Sequence, residues 1–126
     1  MKIAAAIAGI LLGGLFIMSA SMVLFKLAPM PEIPKDTPPY HFMTAVGPTG
    51  YMTMVKIVEL LGGLMVLVPK TRNIGLLFLG PVIVNIVAFH QFVAKDGIFQ
   101  PMLLGIAALS LFLLWVERAR WKALVA

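Results

Sequence analysis

Apolar residues run along this chain in four long stretches, over residues 3–27, 51–68, 74–93 and 101–116. Each approaches or exceeds the roughly 20 residues that carry an α-helix across a bilayer. The pattern therefore predicts an all-α fold, a four-helix up-down transmembrane bundle. The first stretch follows a Met-Lys start and imitates a secretory signal, with Ser19-Ala20-Ser21 where a cleavage site would fall. Its apolar run is much longer than the roughly 7–15 residues of a signal core, so the expectation is an uncleaved spanning helix. The interruptions differ in character. Residues 28–50 form an outer loop carrying Pro29, Pro31, Pro34, Pro38, Pro39 and Pro48. Each proline fixes φ and removes a backbone donor, which excludes a continuous spanning helix there. Residues 40–46 of that loop are apolar enough to form a short interfacial helix, a lid over the outer end of the bundle. Residues 69–73 and 94–100 make the two remaining, short connections.

Polar side chains within the apolar stretches are few and clustered. Lys56 and Glu59 interrupt the second stretch; Asn85, His90 and Gln91 interrupt the third; Ser19, Ser21 and Lys26 lie toward the end of the first. Ionisable groups at membrane depth are costly, so each marks a candidate site. Met52, Lys56, Glu59 and Gly63 follow the four-three-four spacing of one helix face, and Lys56 and Glu59 sit close enough to pair. At 1.5 Å per residue, Glu59 lies ~12 Å and Asn85 ~13 Å from the same side, which places them level. Lys56 and His90 lie nearer that surface. The expectation is one polar layer that opens outward beneath the proline-rich loop, built from Lys56, Glu59, Asn85 and His90, with Ser19, Ser21, Lys26 and Gln91 as secondary members. Read as architecture, the same residues form a satisfied network in which Asn85 caps Glu59. Pro81 predicts a bend in the third helix. Ala5, Gly9 and Gly13, four residues apart, form a small-residue stripe suited to close packing inside the bundle.

Composition strengthens the membrane reading. The chain is 61% hydrophobic and 12% charged, with a mean hydropathy of +1.02, more apolar surface than a single domain of 126 residues could hide from water. Without cysteine, the chain has neither disulfides nor thiolate chemistry. No spacing of metal ligands, nucleotide loop or nucleophile elbow occurs. The net charge of +5 reads as topology rather than as a nucleic-acid surface, because the basic residues sit in short loops and at the ends of apolar runs. Lys2, Lys70, Arg72, Arg118, Arg120 and Lys122 fall on one side, and Lys26, Lys35 and Lys95 on the other. The positive-inside rule then puts both termini in the cytoplasm. Trp115 and Trp121 flank the basic tail as interfacial anchors.

Two segments carry a family resemblance. Residues 50–65, Gly-Tyr-Met-Thr-Met-Val-Lys-Ile-Val-Glu-Leu-Leu-Gly-Gly-Leu-Met, contain Lys-x-x-Glu-x-x-Gly-Gly. Residues 80–90, Gly-Pro-Val-Ile-Val-Asn-Ile-Val-Ala-Phe-His, contain Pro-x-x-x-Asn-Ile-x-x-x-His. With the first helix ending in a lysine and the proline-bearing loop, the chain resembles the DoxX-like family of small bacterial membrane proteins over nearly its whole length. The resemblance implies a multi-pass bundle in the bacterial inner membrane. It also implies an association with thiosulfate–quinone oxidoreduction, with oxidative-stress complexes or, more distantly, with the maturation of other membrane proteins. The absence of cysteine and of an evident redox centre in this chain shifts that expectation from a stand-alone oxidoreductase to a membrane subunit.

Three functional expectations follow. In the first, the polar layer binds a quinone or other lipid-like small molecule, with Phe42, Met43, Phe89 and Phe92 as apolar walls and no covalently bound cofactor. In the second, the chain is a non-enzymatic assembly factor for another membrane protein, or a homo-oligomer. The small-residue stripe and the 118–122 tail then matter most. In the third, Glu59 and His90 shuttle a proton in an intramembrane acid–base enzyme.

Overall fold

In a computed structural model, residues 2–27 and 32–125 are described; Pro29 and Pro31 of the proline-rich loop lie outside them. Among the described residues the regular structure is entirely helical. It comprises α1 (Lys2–Leu24), α2 (Pro38–Val46), α3 (Tyr51–Leu67), α4 (Arg72–Ala88), α5 (Pro101–Val116) and α6 (Arg118–Val125), with a π-helical extension of α4 over Phe89–Ala94. The helices α1 and α4 with its extension are each 23 residues, long and apolar enough to cross a membrane unaided. α3 and α5 reach that length only together with the helices bent onto them: α2 meets α3 at 90° and α6 leaves α5 at 66°. The protein thus has two to four candidate spans.

α1 packs against α3 and α5, and α4 packs against α3 and, more lightly, α5. Glycines set the closest crossings. A methyl group at Gly13 would lie 2.6 Å from the Gly63 carbonyl oxygen, and one at Gly9 would lie 3.0 Å from that of Val66. α1 and α3 therefore run antiparallel with their backbones in contact. On the opposite side of α3, a methyl at Gly75 would fall 2.7 Å from the Gly62 carbonyl oxygen, and one at Gly62 would fall 2.8 Å from Leu79. Close approach of this kind replaces the hydrophobic drive that lipid cannot supply between helices. The stripe seen in the sequence, Ala5, Gly9 and Gly13, is buried and used within the molecule. Leu12, Phe16, Val66, Leu76, Leu79, Ile106 and Leu113 fill the core around these crossings.

α2 begins as its sequence dictates. Thr37 accepts a hydrogen bond from the Tyr40 amide, and Pro38 occupies the first turn, where no amide is needed. It closes over the end of α4: the Phe42 and Phe89 rings meet edge-to-face at 5.3 Å. At the opposite end of the molecule, α6 turns the basic tail into a helix, which the sequence pattern did not predict. Arg120 donates to the Pro69 carbonyl and to Asn73 Oδ1, so the tail and the 69–73 turn share one end. Trp121 donates to the Leu114 carbonyl, and Arg118 stacks 4.3 Å over the exposed Trp115 ring.

Candidate functional site

Glu59 owes its position to the two glycines that follow it. Gly62 and Gly63 draw α4 and α1 onto α3 from two sides, and one turn away the Glu59 side chain is left facing helices rather than lipid. It is 3% exposed. Lys56 Nζ stands 2.9 Å from Glu59 Oε2 and is itself largely buried. Even so, Oε2 accepts no hydrogen bond from any of the described residues. The ammonium arrives from the preceding turn of the same helix, close enough for Coulombic attraction but off the direction that a hydrogen bond requires. The pair is thus neutralised while one carboxylate oxygen retains its acceptor capacity, and a buried acceptor without a bond is costly.

The other expected members of the layer are placed elsewhere. Asn85 is exposed, and its Nδ2 donates to the Pro81 carbonyl of its own helix at 3.0 Å. The core face of α4 is made by Leu79, Val82, Ile83 and Ile86, and Asn85 stands outside it. Asn85 therefore does not cap Glu59. His90 turns to the other side of the α4 terminus, where its Nδ1 lies 2.7 Å from Asp96 Oδ1 and 3.5 Å from Gln100 Nε2. His90 lies in the π-helical turn, just before the loop that Lys95 (φ 54°) and Gly97 (φ 97°) fold back. The hydrogen bond from His90 holds the Asp96 carboxyl below its ordinary value of 3.8. Gln91 is exposed, Ser19 and Ser21 are half-buried on α1, and Lys26 is exposed beyond its end. Of the expected apolar walls, Phe89 and Met43 are half-buried, Phe42 is close to that, and Phe92 is 71% exposed. α4 continues through Pro81 as one helix. A surface cleft lined by Glu32, Lys35, Tyr40, Met43 and Thr44 lies in the segment before α3, outside the helix crossings.

A second buried charge cluster, at the opposite end, went unforeseen. Arg72 is 4% exposed and Glu117 9% exposed. The Arg72 guanidinium donates from Nε to the Val66 carbonyl at 3.2 Å, and its Nη1 lies 3.7 Å from Glu117 Oε1. It rests in the space that a side chain at Gly9 would take. Glu117 also holds Arg120 at 3.1 Å. One arginine thus ties the starts of α1 and α4 to the ends of α3 and α5. Two features of the sequence could have pointed to it. Glu117 is the lone acid in a basic tail, and Gly9 leaves room at the matching height of the first helix.

No family model, curated protein or solved structure matches the chain.

Proposed function

We propose that this protein is a multi-pass component of the bacterial inner membrane. In this reading it is a four-helix up-down bundle with both termini in the cytoplasm, and it holds the polar head of a lipid-like small molecule at Lys56 and Glu59. One observation carries the reading: Glu59 Oε2 is buried without a hydrogen bond among the described residues, although a cation lies 2.9 Å away. A ligand hydroxyl would complete that acceptor, and the Lys56 ammonium would donate to a ligand carbonyl. A donor and an acceptor side by side suit a quinone and its quinol alike, which agrees with the resemblance to DoxX-like membrane subunits. A bound quinone would supply redox chemistry that the chain's own side chains lack. The protein's part is to orient the head group through Lys56 and Glu59 and to cover the outer end through the Phe42–Phe89 contact.

An assembly factor for another membrane protein is the second reading. It is favoured by α6, whose exposed Arg118 and Lys122 are presented beside the 69–73 turn. The acid–base enzyme reading has less to stand on, because His90 is engaged with Asp96. The test is equilibrium binding of a short-tailed quinone and its quinol to purified protein. The double variant Lys56→Met/Glu59→Leu removes both polar groups without leaving a lone charge, and binding should fall at least about tenfold, the worth of one charge-assisted hydrogen bond. Equal affinity in wild type and double variant contradicts the site.

A further inference from the structure

We propose that the outward face of α4 is a self-association surface, on which a second copy of this chain packs with the two Asn85 side chains bonded to each other across a two-fold axis. Ile74, Leu77, Pro81 and Val84 recur along α4 at spacings of three and four residues, and all are exposed. Spacing of this kind makes a straight seam of the sort that pairs helices. Comparable apolar rows lie on α3, at Met54, Ile57, Leu61 and Leu64, and on α5, at Leu104, Leu111 and Leu114. Lipid satisfies those rows. The α4 row differs because Asn85 is exposed alongside it.

Asn85 lies two residues from Ile83, the central residue of the 23-residue span Arg72–Ala94, and so near the middle of the hydrocarbon layer. An amide carries two N–H donors and a carbonyl acceptor. The bond to the Pro81 carbonyl engages one donor. Asn85 is exposed, and lipid offers its second N–H and Oδ1 neither an acceptor nor a donor. Side-chain amides at such positions hold helices together in membranes.

The identity of the partner follows from symmetry. Copies inserted in the same orientation are related by an axis along the membrane normal, so a residue near that axis meets itself at its own depth. Most polar side chains cannot use such an encounter. A carboxylate meets a carboxylate and an ammonium meets an ammonium, whereas an amide donates to an identical amide and accepts from it. Gly80, beside Pro81, has nothing within 4 Å of where a Cβ would stand, which leaves the surface shallow there. The inference uses the spanning orientation of α4 and is independent of Lys56 and Glu59.

The native chain has no cysteine, so an introduced one is unique. Val84→Cys in native membranes should form a disulfide-linked species of twice the monomer mass on mild oxidation, and Leu61→Cys on α3 should not. Adding Asn85→Leu to Val84→Cys should lower the linked fraction. In mild detergent, light scattering should find a dimer whose dissociation constant rises about tenfold in Asn85→Leu, the effect of two interhelical side-chain hydrogen bonds. Asn85→Gln, which keeps the amide, should retain the dimer. Circular dichroism melting should show Asn85→Leu folded, since the change adds apolar surface to a face already in lipid. The proposal is overturned if Val84→Cys yields only monomer, if it links to a protein of different mass, or if a dimer forms equally well in Asn85→Leu.

Discussion

Arg72 opens α4, Glu117 closes α5, and their side chains meet 3.7 Å apart, both more than nine-tenths buried. The contact lies at the basic end of the molecule, where charge counting from sequence places loops in water. Arg72 is held a second time by the Val66 carbonyl, so it caps the last turn of α3 as well as pairing with an acid. Removing Glu117 strands the buried Arg72 guanidinium, whereas removing Arg72 leaves Glu117 paired with Arg120. Glu117→Met should destabilise the fold by about 3–5 kcal/mol and Arg72→Met by less, and the two together should cost less than the sum. Thermal melting of the two single variants and the pair, in detergent, provides the check. Additive losses would mean that the two side chains act separately.

The Lys56–Glu59 pair makes the same kind of prediction with a different sequel. Either single replacement by an apolar residue should lower the melting temperature more than the double replacement does, because the double leaves no unpaired charge. A double-mutant cycle in detergent measures the coupling. Zero coupling energy would contradict a shared site.

Much of this architecture was legible from the spacing of apolar residues, and the exceptions have physical causes. The four stretches became the helices α1, α3, α4 and α5 with ends shifted by a few residues, of which α1 and α4 with its extension are long enough to cross a membrane unaided. Height within the membrane is also countable, and Glu59 and Asn85 were expected to be level. Azimuth is not countable. Which face of α4 turns inward depends on where Gly75 meets the Gly62 carbonyl, and that contact sends Leu79, Val82 and Ile83 inward and Asn85 outward. His90 escaped for another reason: it was placed by height alone, and its partner Asp96 comes from a loop that the spacing of apolar residues does not position. Arg72 was read as a topological charge because counting basic residues treats every loop charge as solvated. A glycine on a neighbouring helix can give one a buried berth.

Glycine substitutions should separate sharply by position. Gly13→Ala puts a methyl 2.6 Å from a backbone oxygen that cannot move aside, whereas Gly14 has nothing within 4 Å of its Cβ position. Gly13→Ala should cost about 1–3 kcal/mol as α1 and α3 are forced apart. Gly14→Ala should be neutral or mildly stabilising, because alanine is the better helix former. Melting temperatures of the two variants decide the matter, and a neutral Gly13→Ala would contradict the close α1–α3 crossing.

The loop after α4 should respond to acid. The bond with His90 depresses the folded pKa of Asp96 below 3.8. A carboxyl depressed in this way contributes stability that is present above the ordinary value and is lost as the pH falls through the folded one. The latch should therefore hold from neutral pH down to about that value and release beneath it. The Gly97 amide resonance, followed by NMR, should shift only below 3.8 in the wild type. In Asp96→Ala it should take the released position at every pH.

Orientation is testable because every introduced cysteine is unique. Cysteines at Lys35 and Asp96 should react with an impermeant thiol reagent added outside intact cells, and cysteines at Thr71 and Ala119 should react only after lysis. The six-to-three division of basic residues between the two sides is the basis. Labelling at Thr71 from outside would reverse the orientation.

The buried, unbonded Glu59 Oε2 leads to the most direct measurement: mass spectrometry of small molecules that stay with the protein through gentle detergent extraction. Wild type should carry a lipid-like molecule with a hydroxyl or carbonyl head, Lys56→Met/Glu59→Leu should have lost it, and Asn85→Leu should keep it. A wild type that carries no such molecule under several extraction conditions, or a double variant that retains it in equal amount, would contradict a ligand site at Lys56 and Glu59.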